Sequence, residues 1–157
     1  ALLGYQDLGY LFLGAGMIAW IIYEPVLFQR LRVLQIEPQF RPTMGIILAP
    51  AFVGSSAYLS LNGGEIDLFV KLLWGYGFLQ MLFLIRLFPW ISEKGLNIGF
   101  WSFSFGLASL ANGAVSFVHH NVLSGLANGA FIFANLMIGG LVLMTLGKLL
   151  KGQFWLK

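Results

Sequence analysis

Between Gly95 and Gly147 the chain carries no Asp, Glu, Lys or Arg. One bilayer crossing takes about 20 apolar residues, so this run is far too long for a single helix. His119-His120-Asn121 is the polar break that divides it. The first part, Asn97 to Phe117, is not uniformly greasy. At about 100° per residue, Ser102, Phe105, Ser109, Asn112 and Ser116 fall within one narrow arc, and Gly99, Gly106 and Gly113 form a second row beside it. The helix therefore presents hydroxyls and an amide with one large ring among them. A polar strip on a charge-free membrane helix faces water, a solute or another helix.

The same ruler gives five spans, at about 8–29, 42–61, 66–88, 97–117 and 123–146, in a single membrane domain over 1–157. Composition agrees: 59% of residues are hydrophobic and 10% charged, against about a quarter charged in soluble domains. An all-α integral membrane protein is expected. There is no cysteine, which excludes disulfides and thiolate metal sites. The net charge of +3 is too small for a nucleic-acid-binding face, which needs many clustered Lys and Arg. Ala1 to Gly4 read as the tail of an apolar segment already under way, so a fragment is expected.

Basic residues gather in cytoplasmic loops, and here they alternate. Arg30, Arg32 and Arg41 follow span one, Arg86 and Lys94 follow span three, and Lys148, Lys151 and Lys157 follow span five, the last group forming with Phe154 and Trp155 an interfacial tail. The turns after spans two and four carry none. This predicts a multi-pass protein with a cytoplasmic C-terminus. Thr43-Met44-Gly45 and Asn97-Ile98-Gly99 each open a span rich in small residues, 54 positions apart (97 minus 43). Spans one, three and five are richer in bulky side chains, which suggests alternating outer and inner helices with two and four inside. On span two, Thr43, Ile47, Pro50, Gly54 and Ala57 are expected to share a small face kinked at Pro50.

Phe105 reads either as a plug that closes a polar passage by dewetting or as an aromatic packed between helices. Ser102, Ser109, Asn112 and Ser116, with Thr43, Pro50 and Gly54 on span two, either line a solute path or serve close helix approach. Glu24 is an intramembrane carboxylate, a candidate proton site or a structural residue near the basic group at Arg30 and Arg32. Asp67 and Lys71, spaced i, i+4, are expected to pair on the helix surface. His119 and His120 lack a third ligand and read as a solvated turn rather than a metal site. No nucleophile and base, phosphate loop or ligand cluster is present, so neither reaction chemistry nor a cofactor is expected. A path lined by neutral hydroxyls, with basic residues at its cytoplasmic mouth, suits small anions better than cations.

The runs PQFRPTMGIILAPAFV, KLLWGYGFLQMLFLIRLFPW and above all GFWSFSFGLASLAN resemble the tellurite-resistance and dicarboxylate transporter family, which includes the plant slow anion channels and fungal malate permeases. The resemblance covers essentially the whole chain, as the C-terminal half of the family fold. It implies ten helices in five hairpins, inner helices lining a pore, a homotrimer in the bacterial inner membrane, and Phe105 as the pore-occluding gate. It implies passage of small anions, with a link to tellurite resistance. The alternatives are a proton-coupled C4-dicarboxylate carrier using Glu24, and a non-conducting truncated fragment that lacks the N-terminal half needed for a complete pore.

Overall fold

In lipid every backbone polar group must be satisfied within the segment, which leaves the helix as the spanning form for such a chain. The structure, a computed structural model, describes residues 4–33 and 36–152, and their side chains except at 30–33. Among the described residues all the regular structure is helical, with five segments long and apolar enough to cross a membrane. Helix α1 is Gln6–Val33. A 3-10 segment over Arg41–Leu48 leads into α2, Ala49–Leu61. Helix α3 is Leu68–Ile91. A second 3-10 segment, Ile98–Trp101, leads into α4, Ser102–His119, and α5 is Ser124–Leu150. Both helices that follow a basic connection thus open on 3-10 turns, a structural counterpart of the 54-residue sequence echo. Phe154, Trp155 and Lys157 of the expected tail lie outside the described residues, as do the side chains of Arg30 and Arg32.

The second span differs in winding from its expected form. With three residues per turn, a 3-10 segment aligns Thr43 with Ile46 rather than Ile47. Thr43 and Ile46 are accordingly exposed while Ile47 is buried. Gly54 is buried too, so the five residues expected on one face of the second span do not share it. Pro50 is the second residue of α2 and follows the 3-10 segment without a break. Lacking an N–H, it leaves a carbonyl of the preceding turn without its helical donor. The winding changes at that place, where the Ala49 N–H bonds back to Ile46 O.

Burial ranks the helices as inner and outer. The second span is the most buried, with 61% of its most apolar stretch buried, followed by the fourth at 39%, the third at 33%, the fifth at 17% and the first at none. Glycine lets the inner pair approach closely. A Cβ at Gly106 would stand 2.6 Å from Leu48 Cβ and 3.0 Å from its carbonyl carbon, and one at Gly45 would overlap the Phe103 ring. Behind the pair, α3 contributes Trp74, which stacks on Phe117 at 3.9 Å and meets Phe52 edge-on. Gly77 leaves room for the Phe52 ring. Helix α5 lies on α4 through a row of small residues, Ala127, Ala130 and Ala134, all buried.

Each end of the bundle is tied by polar contacts. At one end, Arg41 donates to Ile36 O and Trp90 O, pairs with Glu93 and lies over the Trp90 ring. Lys148 Nζ donates to Leu96 O at the same end. At the other, Asn62 donates to Glu65 O across a turn in which Gly63 and Gly64 take positive φ, a conformation that favours glycine. Asp67 then caps α3, accepting from Val70 N–H at 3.0 Å and from Tyr58 OH at 2.5 Å. The expected Asp67–Lys71 ion pair does not form. An N-cap side chain turns back to the free N–H groups of its own helix rather than outward along the surface.

The Tyr58 hydroxyl and the Val70 N–H hold the Asp67 carboxyl below its usual range. A depressed folded-state value contributes stability that is present above the unfolded value, about 3.9, and is lost as pH falls through the folded value. The thermal midpoint of the purified protein is therefore expected to fall on acidification below about pH 4, and less steeply in Asp67→Asn. Parallel slopes for the two proteins would contradict this.

Candidate functional site

Helix α4 has three sides. Phe103, Gly106, Leu107, Leu110, Gly113, Ala114 and Phe117 are buried against the bundle. Ser102, Ser109 and Ser116 are half-buried along the margin toward α2. There the Ser102 hydroxyl donates to Pro42 O at 2.7 Å, and Ser56 Oγ donates to Ser109 O at 3.2 Å. The third side is open. It carries Phe105, Ala108, Asn112, Val115 and His119, all exposed, with the Phe105 ring at 56%. The narrow arc read from the sequence thus spans two neighbouring sides: the open one holds the ring and the amide, and the serines edge it. Gly106 and Gly113 of the glycine row pack, the first against Leu48 and Ala49 and the second against the Trp74 indole.

On the second span the named residues part company. Thr43 is exposed, and its hydroxyl donates to Phe40 O at 2.7 Å. Pro50 and Gly54 line a groove shared with Gly16, Met17 and Trp20 of α1. A Cβ at Gly54 would stand 3.1 Å from Met17 Sδ. These two residues therefore face α1, and only Thr43 is open like the α4 strip.

Glu24 sits elsewhere. Its carboxylate accepts from Gln80 Nε2 at 2.6 Å, and Gln80 also reaches Tyr76 OH at 2.6 Å. Gln80 is only 3% exposed, and it ties α1 to α3, while Glu24 also lines a groove with Ile46, Ile47 and Pro50 of the second span. Sequence reasoning passed it over, although one amide inside the otherwise apolar run from Leu79 to Ile85 is a visible signal. The expected neighbourhood of Glu24 with Arg30 and Arg32 lies outside the described side chains. Among the described residues no three metal-ligating groups gather, and the His119 and His120 rings meet edge-on at 5.2 Å.

The open side of α4 can offer a permeating species an amide, flanking hydroxyls and a hydrophobic ring, and no fixed charge along its membrane-embedded length. Residues 1–146 match the SLAC1 family, described as voltage-dependent anion channel. Across all 157 residues the chain is 71% identical to the tellurite resistance protein TehA homolog of Haemophilus influenzae. It spans about half of that relative's length, 48%.

Proposed function

This chain belongs to the SLAC1 family of anion channels, and on that premise we propose that it forms half of a passive path for small anions, occluded by the ring at Phe105. The observation that carries the proposal is the exposed ring on the open side of α4, among Ser102, Ser109, Asn112 and Ser116. A hydrophobic constriction closes a narrow polar passage because water does not wet it. Neutral hydroxyls and an amide bind anions weakly enough to release them, and the strip holds no carboxylate to attract cations. Thr43, exposed at the start of the second span, joins the lining near the basic end. That end is read as cytoplasmic, with the protein in the bacterial inner membrane.

In this reading the half of the fold not represented here supplies the remaining wall of the path, and the complete protein assembles as a homotrimer. The name of the Haemophilus relative supports a link to tellurite resistance. A passive path needs no reacting groups, and no enzymatic activity is assigned. Glu24 favours the channel over a proton-coupled carrier, because its carboxylate is engaged by Gln80, which ties α1 to α3. Anion-selective current in bilayers containing the full-length protein tests the proposal. Silence from both the wild type and Phe105→Ala would contradict it.

A further inference from the structure

The open side of α4 does not end at Asn112. Seven residues on lies His119, the last residue of the helix. Phe105, Asn112 and His119 therefore succeed one another every two turns on one side, with Ala108 and Val115 between them. All five are exposed. His119 stands about 21 Å from Phe105 along the axis, at the end of the strip opposite Arg41 and Lys148. A helix C-terminus is a favourable place for a cation, and imidazole is the side chain that gains charge in the physiological pH range.

The groove that His119 lines holds no other titratable side chain. The His120 ring is its immediate neighbour. From α5, Asn128 and Phe131 line a groove with it, and α5 has no titratable residue before Lys148, at its far end. On α2 the nearest titratable group toward this end is Tyr58, whose hydroxyl is engaged by Asp67. The stack of Trp74 on Phe117 brings the start of α3 to the same end, and with it Glu65, Asp67 and Lys71, and the Gln6 side chain, donating to Leu61 O, brings the start of α1 with Asp7. Arg41, ahead of α2, is at the opposite end and paired with Glu93.

We infer that His119 is an anion-attracting group at the mouth of the path. Protonated, it concentrates anions ahead of Asn112 and the ring; neutral, it does not. The inference rests on the anion-path reading above and adds a charge-setting residue and a pH dependence to it.

The test uses the full-length protein carrying Phe105→Ala, so that current is present to be modulated. Each face of the bilayer is acidified in turn from pH 8 to 5.5 at low salt. Current is expected to rise on the order of threefold when the His119 face is acidified, the scale of one nearby charge acting through water. The rise should vanish near 1 M salt, where the screening length is about 3 Å. His119→Asn should hold current at the low level and His119→Lys at the high level, both without pH dependence, while His120→Asn keeps the response. A pH-independent current, a response that survives in His119→Asn, or one abolished by His120→Asn instead would overturn the assignment to His119. A background silent at every pH would overturn the path itself.

Discussion

Full-length protein carrying Phe105→Ala is expected to pass at least about tenfold more anion current than the wild type. Lowering a barrier by about 1.4 kcal/mol is enough for a tenfold rise in rate, and removing a dewetting ring from a narrow passage acts directly on that barrier. The substitution leaves a methyl group among Ser102, Ser109 and Asn112. Its effect on folding should be small, because the ring is 56% exposed and, among the described residues, joins no aromatic pair. Phe103 is the contrast. It is 8% exposed, stacks with Phe100 and fills the space left by Gly45. Phe103→Ala should therefore cost about 3–5 kcal/mol of stability and open nothing. If Phe105→Ala destabilises like Phe103→Ala and adds no current, the ring is a packing residue.

Gly106→Val is expected to destabilise the protein by forcing the second span and α4 apart. The first carbon of the new side chain would stand 2.6 Å from Leu48 Cβ, 3.0 Å from Leu48 C and 3.2 Å from Ala49 N. Two of those three atoms are backbone, so relief requires the helices themselves to separate. Overpacking of this kind costs about 1–3 kcal/mol, and each kcal/mol lowers the midpoint by about 2–4 °C in a chain of this size. Gly140→Ala, where nothing lies within 4 Å of the added carbon, should leave the midpoint unchanged or slightly higher. Equal midpoints for the two variants would show that α2 and α4 do not meet at Gly106. Because that contact sets how α4 presents its open side, Gly106→Val should also depress the current of Phe105→Ala.

The helices were legible because lipid permits few alternatives: about 20 apolar residues, bounded by charge or by Asn-Gly-Gly and His-His-Asn, leave little besides a spanning helix. The inner position of the second and fourth spans was legible from their small residues. Winding was not. Nothing in RPTMGIIL announces a 3-10 segment, so a phase counted at 100° per residue put Ile47 with Thr43. Asp67 illustrates two local rules in competition, ion pairing at i, i+4 and N-capping. The cap prevailed because Tyr58 adds a second donor.

At the site, Phe105 and Asn112 stood out as the odd ring and the amide of a small-residue strip. His119 was hidden by its position. It reads as part of a turn, yet the helix runs through it, and only counting seven residues on from Asn112 places it on the same side. Gln80 and Glu24 are 56 residues apart, and no local pattern links two single polar residues across that distance.

The central claim is that one side of α4 faces an aqueous path. Because the chain has no cysteine, single cysteines at Ala108, Asn112 and Val115, and for comparison at Leu107, Leu110 and Ala114, can be read without background in this chain. In full-length protein carrying Phe105→Ala and no other cysteine, a charged, water-soluble thiol reagent is expected to modify the first three and block current while leaving the second three unmodified. Uniform protection of all six positions, or modification without regard to side, would contradict the account.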